Sequence, residues 1–200
     1  MDNQKIGNLR NLAVSISGLA GDRLTKLIEG INATSAQNGE IWECGCHRGG
    51  TALFMKARLM ETDSDRILRA FDTFEGLPYR GQYDSQQIGT MKTDYEEVLQ
   101  RFQDLSNCHI YKGVMPQTFV GLENSIISVA HIDVDQYQSV KECLEWIYPR
   151  VHANGWIVID DYNDKGCYGA KKAVNDFLSV RPEKLIAPGG ENPQAYFIKQ

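Results

Sequence analysis

Gly39-Glu-Ile-Trp-Glu43-Cys-Gly45-Cys-His47-Arg-Gly49-Gly50-Thr51-Ala-Leu-Phe-Met-Lys-Ala-Arg-Leu-Met60 is the stretch on which the fold turns. Its first six residues are a short apolar-rich run, its last ten are strong helix formers, and a glycine cluster separates the two. That order predicts strand, glycine turn and helix. Glycines there let backbone come close to a ligand, and the N–H groups of a helix opening at Gly50 and Thr51 would point at it, which suits a nucleotide-like cofactor. The spacing is not G-x-G-x-x-G, because three residues separate Gly45 from Gly49 and an acid, Glu43, precedes them. Plain strand-to-helix packing is the competing reading of the same glycines.

Working outward, the alternation repeats. Segments 66–71, 109–112, 126–132 and 156–159 read as strands, while 95–105, 139–148 and 170–180 read as helices. Strands alternating with helices mean βαβ units with right-handed crossovers, hence a mostly parallel sheet covered on both faces. Leu24, Leu27, Ile28 and Ile31 recur at helical spacing, so residues 1–35 form an N-terminal helical part. At the other end, the apolar runs 184–187 and 195–198 flank the turn Pro188-Gly-Gly-Glu-Asn-Pro193 and read as an antiparallel pair. The expectation is an α/β, Rossmann-like domain spanning 1–200, with a mostly parallel seven-stranded sheet and a C-terminal antiparallel hairpin. Segment 73–93 exceeds a simple connection and reads equally as a lid or as a mobile surface loop.

Composition is that of an ordinary globular chain, with 42% hydrophobic and 24% charged residues in 200. A net charge of −5 without an evident basic face argues against a nucleic-acid partner. The opening Met1-Asp2-Asn3-Gln4-Lys5 lacks the pattern of a signal peptide, and no apolar run approaches the roughly 20 residues that span a bilayer, so a cytoplasmic protein with no membrane contact is expected. Five cysteines in no zinc-like spacing read as reduced thiols, Cys44 and Cys46 included.

Polar clusters fall where strands stop. Asp72 ends the second strand a little over 20 residues past the glycines, where an acid grips ribose hydroxyls; a surface or capping Asp is the plainer alternative. Ala130-His-Ile-Asp133-Val-Asp135-Gln-Tyr137 ends one later strand and Ile157-Val-Ile-Asp160-Asp161-Tyr162 the next. Four carboxylates at neighbouring strand ends repel unless a cation sits among them, and an oxygen-rich set suits magnesium, calcium or manganese. Helix capping competes for Asp135 and Asp161. His47 reads as a hydrogen-bonded structural residue.

Together these motifs resemble the macrocin O-methyltransferase family of class I S-adenosylmethionine-dependent enzymes, which methylate sugar hydroxyls on natural products. The resemblance runs from Gly39 to about Phe177. Its carriers are Gly39-Glu-Ile-Trp-Glu43-Cys-Gly45 with Arg48-Gly-Gly50, Phe71-Asp72-Thr-Phe-Glu-Gly-Leu-Pro78, Ile132-Asp133-Val-Asp135-Gln-Tyr137, Tyr148-Pro149-Arg150, and Gly155 with Asp160-Asp161-Tyr162. It implies that Glu43, Gly45 and Gly49, with Gly50, Thr51 and Asp133, shape the S-adenosylmethionine site, and that Asp72 holds the ribose. It implies further that Asp133, Asp160 and Asp161 ligate a divalent metal such as Mg2+, with Asp133 and Asp135 the catalytic pair and Asp135 the general base. A small glycosidic hydroxyl acceptor and a homodimer are what the family suggests. Two positions depart from its pattern: Val134 stands where glycine is usual, and Asn154-Gly155 replaces a double glycine. A catechol or phenol acceptor, a nicotinamide-dependent reductase and a non-catalytic cofactor-binding protein are the other readings.

Overall fold

A computed structural model describes residues 3–19, 21–189 and 192–200. Helices α1 (Asn3–Ile16) and α2 (Asp22–Ala33) precede β1 (Glu40–Cys44), α3 (Gly50–Glu61) and β2 (Leu68–Asp72). Then come α4 (Tyr95–Phe102), β3 (Cys108–Lys112), a 3-10 turn at Gln117–Phe119, β4 (Ile127–Ile132) and α5 (Tyr137–Ile147). A 3-10 turn at Tyr148–Arg150, β5 (Val151–Ile159), α6 (Tyr168–Leu178) and β6 (Ala195–Ile198) complete the order.

The sheet runs β3-β2-β1-β4-β5-β6, parallel throughout except that β6 pairs antiparallel with β5. Among the described residues it has six strands, one fewer than expected. Residues 184–187 make a single bridge, Ile186 exchanging both backbone hydrogen bonds with Tyr196 at 2.8 and 2.9 Å. Pro182 and Pro188 bracket that run and offer no N–H to extend a ladder, so the antiparallel ending is kept with one strand reduced to a bridge. Strand β5 also starts earlier than its apolar residues suggest, at Val151, with Asn154 in the left-handed region at φ 64° and the register shifting between Ile127 and Val129.

Two apolar layers follow from the alternation of strand side chains. Ile41, Leu68, Ala70, Val129 and Val158 face helices α1 to α4, whereas Trp42, Phe71, Ala130, Ile157 and Phe197 face α5, α6 and Phe119. Trp42 is fully buried, with ring centroids of Phe71, Phe119 and Trp146 at 4.8, 5.2 and 5.5 Å. Among the described residues no helix is long and apolar enough to cross a membrane.

The 73–93 segment is hydrogen-bonded to the elements around it. Asp84 accepts from the Tyr137 N–H at 2.8 Å, Ser85 Oγ donates to the Gly166 carbonyl at 2.7 Å, and the Tyr79 N–H donates to Gln136 at 3.0 Å. Its far end feeds α4, whose first turn is capped by Asp94 accepting from the Glu97 N–H at 3.0 Å. Replacing Asp94 by Ala is expected to cost about 1 kcal/mol in urea unfolding; an unchanged midpoint would remove the cap from the account.

Candidate functional site

The carboxyl ends of β1, β2, β4 and β5 open onto one cavity of about 220 Å3. It lies where the strand order reverses between β1 and β4, the position at which parallel α/β sheets take their ligands. Gly45, Cys46 and Asp72 line one side, Asp133, Asp135 and Asp161 the other, and the α1–α2 turn with Arg23 lies over both.

The glycine turn is built by close approach. Gly45 has φ 91°, and a Cβ there would lie 1.8 Å from the Asp133 carbonyl oxygen. A Cβ on Gly50 would meet the Ser17 backbone nitrogen at 2.4 Å, and one on Gly49 would meet Phe102 at 2.7 Å. The missing side chains thus let the turn press against the end of β4 and against the α1–α2 turn, so packing shares these glycines with any ligand. Across the turn, Asp72 accepts the His47 and Phe74 N–H groups at 2.7 Å each. This fixes its carboxylate at the cavity edge, where its oxygens keep lone pairs for further donors.

Opposite stand the four aspartates. Metal-capable atoms form two adjoining groups, His131 with Asp133 and Asp160, and Asp135 with Asp161 and Cys167; within each group they lie within 4.8 Å of one another. The expected ligands Asp133, Asp160 and Asp161 are therefore divided between the two. Desolvation, with Asp161 and Asp135 close by, drives the Asp133 carboxyl well above the usual carboxylate range, against the pull of Arg23. Desolvation and Asp161 push Asp135 up to about 6, while the Cys167 thiol, donating to Asp135 at 3.1 Å, opposes the rise. Asp135 holds its position in a left-handed conformation, φ 54°.

Asp160 is fully buried and accepts from Arg23 Nε at 3.0 Å and from Gln194 at 2.7 Å, with Arg23 Nη2 against its second oxygen. Beneath it lies His131, with ring nitrogens 3.6 Å from Asp160 and 3.7 Å from Glu43 and no hydrogen-bond partner for either. Burial first, then Arg23, drives His131 down to about 3, so the ring is neutral. Burial and then Asp72 drive the Glu43 carboxyl well above its usual range.

A family model described as macrocin O-methyltransferase (TylF) matches residues 9–186. The chain belongs to this macrocin O-methyltransferase family. Relatives of the family include the 8-demethyl-8-(2,3-dimethoxy-alpha-L-rhamnosyl)-tetracenomycin-C 4'-O-methyltransferase of Streptomyces olivaceus, 29% identical over 78% of this chain and 64% of that protein. The demethyldecarbamoylnovobiocin O-methyltransferase of Streptomyces niveus is 26% identical over 70% of this chain and 58% of its own length. The chain thus spans under two thirds of both. Among solved structures, the O-methyltransferase NovP matches with TM-score 0.77 at 24% identity, covering 89% of this chain and 79% of that one. The calicheamicin methyltransferase CalS11 matches with TM-score 0.75 at 18% identity over 98% and 92%. These likenesses establish the class I O-methyltransferase fold.

Of the residues expected from sequence in this family member, Gly45, Gly50, Thr51, Asp72, Asp133, Asp135 and Asp161 line the cavity. Glu43, Gly49 and Asp160 do not: Glu43 faces His131 inside the sheet, Gly49 turns its open side to Phe102, and Asp160 sits behind Arg23. His47 also lines the cavity and gives its backbone N–H to Asp72. All five cysteines are free thiols. Arg23, His131 and Gln194 escaped the sequence reading. His131 carried a signal, a polar residue within the otherwise apolar 127–132 strand apart from Ser128; Arg23 and Gln194 carried none, since each is an ordinary polar residue in a surface-like segment.

Proposed function

We propose that the protein transfers a methyl group from S-adenosylmethionine to a sugar hydroxyl of a glycosylated natural product, with a divalent metal at the aspartate cluster. The single observation that carries this reading is one cavity joining the glycine turn and Asp72 to the carboxylates at the ends of β4 and β5. Support for the acceptor comes from relatives whose names specify a rhamnosyl tetracenomycin and a mycinamicin 3''-oxygen. The residues present fit magnesium, because each of the two clusters offers two carboxylates, Asp133 with Asp160 and Asp135 with Asp161, and carboxylate oxygens are the donors hard cations prefer.

Asp133, Asp160 and Asp161 would hold that ion, which when bound supplies Lewis-acid stabilisation of a developing alkoxide, worth several kcal/mol. Asp72 receives the ribose hydroxyls, and the turn at Gly45 to Thr51 shapes the methionine side. Asp135 takes the acceptor's hydroxyl proton as the oxygen bonds to the methyl carbon and the carbon–sulfur bond breaks, leaving S-adenosylhomocysteine. Its elevated position near 6 suits a base that works at neutral pH.

Replacing Asp72 by Asn places an NH2 against one of the two N–H groups it now satisfies, and S-adenosylmethionine affinity is expected to fall about tenfold by calorimetry. Undiminished affinity would take Asp72 out of the ribose site. The activity itself is tested by methyl-labelled donor with rhamnosylated polyketides and with catechols, in magnesium and in EDTA. Label in the sugar, lost in EDTA, is the expected result. Label in the catechol alone would move the reading to phenols, and donor binding without transfer to either acceptor would make this a non-catalytic binder.

A further inference from the structure

Arg23 is the one cation that the described structure ion-pairs with the aspartate cluster. It reaches in from the first turn of α2, with Nε 3.0 Å from Asp160 Oδ1 and Nη2 3.6 Å from Asp161 Oδ1. A positive charge in the first turn of a helix opposes the helix dipole, so its own helix does not favour it there; the two carboxylates do. The helix start has no side-chain cap, since Gly21 stands at the N-cap with φ 46°, and is closed by the Thr25 N–H and hydroxyl donating to the Gly21 carbonyl at 3.1 Å each. Ser17, in the segment before α2, packs on Gly50 and hydrogen-bonds to Thr51 at 3.1 Å, and Ser17, Gly18, Leu19 and Arg23 line the same cavity.

We propose that Arg23 is a built-in counter-cation that occupies the carboxylate site in place of a divalent ion and withdraws from Asp160 when one binds. The inference rests on the metal reading above. Arg23 takes both oxygens of Asp160, through Nε and Nη2, and pairs with one oxygen of Asp161, so arginine and metal compete for the same carboxylates. Withdrawal frees the start of α2 and loosens the segment before it.

The test is a Mn2+ titration followed by electron paramagnetic resonance on the wild type and on Arg23→Gln, Arg23→Lys and Asp160→Asn, with thermal melts to verify folding. Arg23→Gln is expected to bind Mn2+ at least tenfold more tightly than the wild type, Arg23→Lys a few-fold more tightly, and Asp160→Asn more weakly. Hydrogen exchange in 17–26 of the wild type is expected to quicken on saturation with Mn2+. If Arg23→Gln and Arg23→Lys bind no more tightly while Asp160→Asn loses the ion, the competition is refuted and the metal site stands. If no variant binds Mn2+, or Asp160→Asn binds as the wild type does, the metal reading fails and this inference with it.

Discussion

Asp135→Asn is expected to lower turnover by about three orders of magnitude while leaving S-adenosylmethionine affinity within a few-fold. The carboxylate is the proposed acceptor for the hydroxyl proton, and general base catalysis of this kind contributes roughly 10²–10⁴-fold. Asn keeps the size and one oxygen acceptor but has no basic site. Substitution should also spare the backbone, because Asn tolerates the left-handed conformation that Asp135 adopts at φ 54°. The local contact that changes is the Cys167 thiol, which loses an ionised partner at 3.1 Å. Turnover within tenfold of the wild type, on any acceptor the wild type methylates, would remove Asp135 from the chemistry and leave the proton to solvent or to Asp133.

Gly45→Ala carries the largest expected structural effect. A Cβ at 1.8 Å from the Asp133 carbonyl oxygen cannot be relieved by a rotamer, because both partners are backbone. Either the turn lifts from β4 or β4 retreats, and φ 91° is itself strained for any residue with a side chain. A loss of at least about 3 kcal/mol in urea unfolding is expected, together with more than tenfold weaker S-adenosylmethionine binding. Stability retained within 1 kcal/mol, or about 1 kcal/mol of loss with unchanged binding, would show that the turn is not set by this contact.

Much of the architecture was legible because the chain punctuates it. Glycines at 45, 49 and 50 divide β1 from α3, and strand ends announce themselves by Asp72, Asp133 and Asp160 after apolar runs. Legibility failed where pairing partners, rather than local pattern, decide the outcome. The start of β5 at 151–155 carries the exposed residues 152–154 and so lacks strand patterning, yet Val151 pairs with Ile127 of β4. Residues 184–187 have the composition of a strand and lack the N–H groups around them to remain one. The site divides the same way. The aspartates and glycines were legible as strand-end chemistry, whereas Arg23 reaches Asp160 across 137 positions of sequence, a contact that only the packing of α2 creates. Glu43 looked like a cavity residue by its place in the motif, but β1 turns it inward against His131, where burial raises its pKa.

The central claim is tested most directly by calorimetric titration of the protein with S-adenosylmethionine and with NADH, each with and without magnesium. The account requires selective binding of S-adenosylmethionine, lost or weakened in Gly45→Ala and Asp72→Asn. Failure to bind it, or selective binding of NADH, would contradict the proposed function while leaving the fold untouched.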